Sequence, residues 1–518
     1  MTNHCTENRR LAKNTIVLYL RTIVTLAISL YISRVILEVL GIDNYGIYNI
    51  VGGFVSLFAI VSQTMVASTQ RYMTFEIGKK EGEHSTKIFS TAFIIHCGLA
   101  LILFVLFESI GLWFLNTHLN IYPDRLCAAN WIYQFSILAF LLNILRSPFE
   151  AAIIAHERMK AFAYANILEA TLKLAILYLI LIADIDYLIQ YGFYQLLLTA
   201  IMFTIYFFYS IKHFSEIRFV FVNEIQYYKE MISFAGLNFL GAGSTILSNQ
   251  GINVLLNIFF GVTVNAARGI AQQVGVAISK FVNDFTTALN PQITKSYARG
   301  ETDYTMKLVY KGSKFSFLLY LLFSLPIVIE TPFILSLWLK NVPDFAVVFV
   351  RWTLITSLLN TWANPLTTCA FATGKIKNLS LWLGSIRLLT LPMVYVAFSF
   401  GMDPEYAYVV TFATDFILLF VRLSIVCKLV KISGLDFLKE VIARSLYVIV
   451  LSLSLIYMVH HLWNGLVSAL FFRIVIIVVI TAISVLILGF KASERKIIYS
   501  FILNRKHVCY ESISKKNI

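Results

Sequence analysis

Residues 261–301 read "GVTVNAARGIAQQVGVAISKFVNDFTTALNPQITKSYARGE". The run from 264 to 290 is long enough for one helix to cross a bilayer, which needs about 20 mostly apolar residues. It nevertheless carries Arg268, Lys280 and Asp284. Its polar residues Arg268, Gln272, Ser279, Asn283, Thr286 and Asn290 recur three, four or seven apart, a spacing that puts them on one helical face. A polar stripe on a spanning helix faces either a neighbouring helix, as hydrogen-bonding glue, or a water-filled interior. The fold follows from whether the rest of the chain is built the same way.

It is. The chain has 518 residues, 58% hydrophobic and 14% charged, with a mean hydropathy of +0.77. Ordinary globular domains are about 25% charged, so the solvent for this surface is lipid. Apolar runs occur at 14–38, 45–69, 88–115, 127–147, 163–183, 188–210, 232–260, 264–290, 314–338, 345–372, 378–400, 405–427, 443–461 and 466–489. They predict an all-α, polytopic membrane protein of about fourteen spans, since lipid admits only helices or closed barrels and these runs are too long for barrel strands. The first span, too long for a signal-peptide core, reads as retained. The six cysteines are scattered with no CxxC pair, so neither a zinc nor a redox site is expected.

The net charge of +14 is explained by topology. With the N-terminus in the cytoplasm, nearly all basic residues between spans fall on the inner side, and only Arg125 and Lys340 fall outside. That asymmetry places both termini in the cytoplasm of a plasma (inner) membrane protein and leaves no role for nucleic acid. Every outer connection is short, so function belongs inside the bundle. The expected organisation is a tail (1–13), a six-helix lobe (14–210), an inner linker (211–231), a second six-helix lobe (232–427), two further helices (428–489) and a tail (490–518). A weak internal echo joins "GIDNYGIYNI…STQRYMTFEIGKKEGE" to "GVTVNAARGIAQ…LNPQITKSYARGETD", as in transporters built from parallel repeats.

Charges inside spans are expensive and mark function or pairing. Arg34–Glu38, Glu169–Lys173 and Lys280–Asp284 stand four apart and read as self-neutralising pairs or as members of a polar site. Arg422 lies near an inner helix end and can snorkel. Arg21, Arg268, Arg351 and Arg387 have no acid close in sequence. Either an acid on another helix pairs with each, or they face a wet cavity and hold an anion, for which the planar guanidinium fork suits phosphate. The candidate substrate-binding set is Arg21, Arg34, Arg268, Gln272, Lys280, Asn283, Arg351 and Arg387. Asp284 and Asp415 are the embedded acids that proton or sodium coupling would use. Pro326, Pro365 and Pro392 read as kinks, serving as static bends or as hinges.

Residues 18–83, "LYLRTIVTLAISLYISRVILEVLGIDNYGIYNIVGGFVSLFAIVSQTMVASTQRYMTFEIGKKEGE", and the stretch 261–301 resemble bacterial polysaccharide flippases of the multidrug/oligosaccharidyl-lipid/polysaccharide exporter superfamily. Arg34, Leu40, Gly41, Tyr45, Gly46 and Tyr48 nearly match the family's first-turn motif, with a longer arginine-to-Leu-Gly spacing, and Asn290–Gly300 is the more characteristic piece. The resemblance implies two six-helix lobes in a V-shaped arrangement around a cationic cavity. It implies a cargo, undecaprenyl-pyrophosphate-linked oligosaccharide flipped for surface polysaccharide or lipopolysaccharide synthesis, held by Arg21, Arg34, Arg268 and Lys280. It further implies contact with membrane lipids, a polysaccharide polymerase as partner, no cofactor and no enzymatic activity. The two extra helices resemble a pair that borders a lipid-tail groove in lipid II flippases. The rival readings are a cation-coupled multidrug antiporter, which would favour unpaired carboxylates, and a polytopic sugar polymerase or ligase, for which His460–His461 is poor support.

Overall fold

The computed structural model describes residues 13–29, scattered positions from 31 to 47, and 59–490 apart from 80–81, 119–122, 181–185, 340–341, 431–432 and 463–469, together with Arg495. Among the described residues there is no strand. The helices are α1 (13–29), α2 (Ala59–Lys79), α3 (Gly82–Leu106, carried on through a widened turn to His118), α4 (Leu126–Ala155), α5 (Met159–Ile180), α6 (Tyr187–His213) and α7 (Ile225–Phe260). They continue as α8 (Val262–Ala298), α9 (Thr302–Ile329), α10 (Thr331–Trp338), α11 (Ala346–Thr373), α12 (Lys377–Ser399), α13 (Tyr406–Val430), α14 (Arg444–Leu462, preceded by a turn from Gly434) and α15 (Leu470–Ser484, prolonged to Gly489).

Eleven of the described helical stretches are long and apolar enough to cross a membrane. The three remaining long helices, α1, α2 and α8, correspond to the other expected spans and bring the set into line with about fourteen. Helices outrun the apolar runs that announced them. α8 continues eight residues past Asn290, and α9 begins twelve residues before the expected start at 314. Hydropathy reports where lipid ends, whereas a helix continues as long as its residues tolerate it, and "TDYTMKLVYK" contains neither proline nor glycine. Of the expected linker, 211–213 closes α6 and 225–231 opens α7, leaving 214–224 non-helical.

Terminal residues account for several boundaries. Asp186 caps α6 by accepting from the backbone N–H of Leu188 (2.9 Å) and Ile189 (3.4 Å). Gly374 ends α11 at φ 74°, the left-handed conformation that glycine adopts freely. Pro148, Pro291, Pro326, Pro365 and Pro392 all lie within helices.

Contacts divide the chain into two compact units. One comprises Ala12–Gly243 with Thr294–Glu301; here α4 packs against α2, α3 and α6 around Ile132, Tyr133, Ile137 and Phe107. The other comprises Ser244–Ile293 and the chain from Thr302 onward; here α11 packs against α9 and α13 around Phe349, Leu354, Tyr320 and Val394. Of the two extra helices, α15 packs along α9 in this second unit.

Candidate functional site

In the first unit, embedded charge collects where α4 meets α5. Arg146 Nη1 donates to Glu169 Oε2 at 3.2 Å, and Arg146 Nε lies 4.0 Å from Glu150 Oε2. Lys173 Nζ donates to the other Glu169 oxygen at 3.0 Å, as the four-residue spacing predicts. The Arg146 guanidinium stands over the Tyr206 ring at 5.2 Å. Arg21, on α1, stands over the Phe162 ring at 5.2 Å and donates to Thr22 Oγ1 at 3.2 Å, within electrostatic reach of Glu150. Two arginines and a lysine thus gather around Glu150 and Glu169 within the first unit. Arg34 and Glu38, expected from their spacing to pair, lie outside the described residues.

Arg146 and Glu150 were not among the sequence candidates. The apolar run ends at 147, so Arg146 reads as a residue of the inner turn. The helix in fact continues through Pro148 to Ala155, which draws both charges into the bundle. The signal was the resumed apolar stretch "AAIIA" after Glu150.

In the second unit the candidates separate into groups. Arg268 is 4% exposed; its Nη2 donates to the Asn249 carbonyl at 3.2 Å, and its guanidinium lies 5.6 Å from the Tyr408 ring centre. Among the described residues no carboxylate pairs with it. A carbonyl and an aromatic face compensate part of the desolvation of a guanidinium but leave its full charge in place.

Gln272, Lys280 and Asn283 follow on the same helix and are exposed. Lys280 and Asp284 do not form the expected ion pair: the ammonium is exposed and the carboxylate is buried, because the helix turns them to different surroundings. The stripe is accordingly graded, with Arg268 and Thr286 buried and Gln272 and Asn283 exposed. At its far end Asn290 Oδ1 accepts from the Thr368 hydroxyl at 2.9 Å, a helix-to-helix bond.

Arg351 and Arg387 are occupied by the fold. Arg351 Nε donates to the Val328 carbonyl at 3.0 Å and Nη2 to that of Ile329 at 3.5 Å, closing the C-terminal end of α9, where a cation meets the negative end of the helix dipole. Arg387 and Asp415 belong to one ion pair, Nη2 to Oδ1 2.5 Å, and Asn360 Nδ2 donates to Asp415 Oδ2 at 3.2 Å. Two residues assigned separate roles from sequence, an anion ligand and a coupling acid, neutralise each other. Sequence separation of 28 residues hid the pairing, since it depends on α12 packing against α13. No described cluster of His, Cys, Asp and Glu could hold a metal ion.

This buried arginine on a long polar helix is set within a known family. The family described as "Polysaccharide biosynthesis protein" matches residues 11–297. The chain belongs to that family. Its fold is also that of solved transporters. A MATE transporter in complex with MaD3S is similar with a TM-score of 0.71 at 11% identity, covering 82% of this chain and 97% of the other. An outward-facing multidrug resistance MATE transporter of the MOP superfamily gives 0.69 at 12%, with 82% and 97% covered. A MOP superfamily transporter from Pyrococcus furiosus, described as having a binding pocket of reverse polarity that suggests a different function, gives 0.68 at 12%, with 81% and 96% covered. No curated protein matches the chain. The chain is thus a polysaccharide biosynthesis family member with the fold of the solved MATE transporters and with eleven described helices long and apolar enough to cross a membrane.

Proposed function

We propose that the chain flips undecaprenyl-pyrophosphate-linked oligosaccharide repeat units from the inner to the outer leaflet of the plasma membrane, with both termini in the cytoplasm. The observation that carries this reading is Arg268: a guanidinium 4% exposed, on the long helix α8, with no described carboxylate against it, in a chain of the polysaccharide biosynthesis family. A buried charge of that kind is stabilised by an anion, and the cargo's pyrophosphate supplies one at each turnover. Lys280, Gln272 and Asn283, exposed on the same helix as Arg268, are the further contacts for pyrophosphate and sugar in the second unit, and Arg21 and Arg34 are assigned the same role in the first. Arg351 and Arg387 are assigned to the fold, which leaves Asp284 as the candidate coupling acid. A fold shared with a transporter described as having reverse pocket polarity does not itself dictate the sign of the cargo, so the local charges decide between this reading and a multidrug–cation antiporter.

Alternating access requires that neither state holds the anion overwhelmingly better. Carbonyl and ring contacts to Arg268, weaker than a carboxylate, suit a group that must exchange partners. The test is rescue of a deletion strain with an Arg21→Ala, Arg268→Ala double variant: surface polysaccharide disappears and lipid-linked repeat units accumulate inside. Normal surface glycan in that strain would refute the anion assignment.

A further inference from the structure

Between α6, which ends at His213, and α7, which starts at Ile225, the backbone of Phe214–Glu224 is non-helical. Both flanking helices are long and apolar enough to cross a membrane, which puts the segment joining them on one side of it, near the lipid surface. Phe214, Ile217 and Val222 are buried within the first unit, whereas Phe219 and Val220 are exposed and Phe221 and Ile225 are 83% and 81% exposed. The backbone is tied at a few points. The Ser90 hydroxyl donates to the Arg218 carbonyl and accepts the Val220 N–H, each at 3.1 Å, and the Tyr228 hydroxyl donates to the Val222 carbonyl at 3.2 Å. The N–H groups of Phe219 and Phe221 have no protein partner among the described residues.

Two requirements therefore pull in opposite directions. Unpartnered peptide groups exclude the hydrocarbon core, where no water can satisfy them. A run of exposed apolar side chains, Phe219, Val220, Phe221 and Ile225, is disfavoured in bulk water. The headgroup boundary satisfies both, because peptide groups there reach water while apolar side chains reach acyl chains. Charge agrees with that placement. Lys212, Arg218 and Lys229 are exposed along the same stretch, while its acids Glu216 and Glu224 are tied to His156 and Lys87, the latter at 2.8 Å. Glu230 accepts from Gln226 at 2.8 Å.

We propose that Arg218–Ile225 is a lipid-anchored strap: it lies in the headgroup region of one leaflet, with Phe221 and Ile225 among acyl chains and Lys212, Arg218 and Lys229 against anionic lipid phosphates. The occupant of this surface is the membrane itself. This inference rests on the membrane-spanning helices and is independent of the cargo.

The experiment places a single cysteine at Phe221, and separately at Ile225, in the full-length chain with its own cysteines replaced, and labels each with an NBD fluorophore in liposomes of phosphatidylethanolamine and phosphatidylglycerol. Both positions are exposed, so neither change disturbs packing. The strap predicts blue-shifted emission, quenching by lipids with bromine-bearing acyl chains, and protection from aqueous iodide. It also predicts weaker lipid quenching when phosphatidylcholine replaces phosphatidylglycerol. Iodide quenching equal to that of free dye would overturn the proposal. So would protection from both quenchers, which would mean that a protein covers the segment. Equal lipid quenching in neutral liposomes would overturn the electrostatic part.

Discussion

Glu157 and Lys295, 138 residues apart, form an ion pair of 2.9 Å with side chains only 6% and 11% exposed. Asn14 Nδ2 adds a 3.4 Å bond to the Glu157 carbonyl, and Glu157 holds a backbone φ of 56° that non-glycine residues seldom adopt. Lys295 belongs to the "NPQITKSYARG" stretch by which the sequence resembles its family. The contact seats Thr294–Glu301, the end of α8, within the first unit.

Removing one partner of a buried pair leaves the other charged and desolvated. Lys295→Met is expected to lower stability by about 3 kcal/mol. The Glu157→Gln, Lys295→Met double variant should recover most of that loss, because neither charge is then stranded. Thermal unfolding of the detergent-solubilised protein measures both; equal loss in single and double variants would show that packing, not charge, holds this end of the helix.

Gly78 makes the same seating possible. A Cβ built there would come within 2.9 Å of Ala298 Cβ and 3.0 Å of the Lys295 Cα and carbonyl oxygen. Because two of those atoms are backbone, Gly78→Ala is expected to destabilise by roughly 1–3 kcal/mol. Adding Ala298→Gly should restore only part, since the Lys295 backbone remains in the way. Full restoration would mean that the backbone yields easily.

Much of the fold could be read from the sequence because lipid imposes a simple rule on length and polarity. The spans at 88–115, 188–210 and 405–427 lie inside helices α3, α6 and α13, with offsets of a few residues. Charges on one helix were also legible: Glu169–Lys173 pairs at the predicted spacing. What the sequence could not show was pairing across helices. Arg387 meets Asp415 only because α12 and α13 pack together, and Arg146 joins Glu169 only because α4 and α5 do. Lys280–Asp284 failed for the converse reason: the spacing was right, but tertiary packing buries one group and leaves the other exposed.

The Arg387–Asp415 pair makes a prediction that separates structure from coupling. Arg387→Met alone, or Asp415→Asn alone, should destabilise the protein, the former by about 3 kcal/mol because it removes the ion-pair partner of a carboxylate 3% exposed in its side chain and leaves Asn360 as its hydrogen-bond donor. The double variant should be close to the parent in stability and keep its transport activity. Loss of transport in a stable double variant would return Asp415 to the list of coupling acids.

Acidification should act at Glu216, in the turn after α6. Burial pushes its carboxyl upward, but the hydrogen bond with His156, backbone donation and the Ser215 hydroxyl outweigh that, and the net position is below the ordinary value of 4.5. A carboxylate held low in the folded state contributes stability above its unfolded value, and that contribution is lost as pH falls through the folded one. Unfolding temperatures measured from neutral pH downward should therefore drop more steeply below about pH 4.5 in the parent than in Glu216→Gln. Parallel curves would show that this contact carries no pH dependence.

A buried guanidinium with no carboxylate against it among the described residues, that of Arg268, is assigned to the cargo's phosphate. That assignment is tested most directly by reconstituting the protein in liposomes and measuring translocation of a labelled polyprenyl-pyrophosphate oligosaccharide, for the parent and for Arg268→Ala. Loss of one charge-assisted contact predicts a rate reduced about tenfold or more in Arg268→Ala, with the folded variant recovered in equal amount. Translocation by Arg268→Ala at the parent rate would contradict the account.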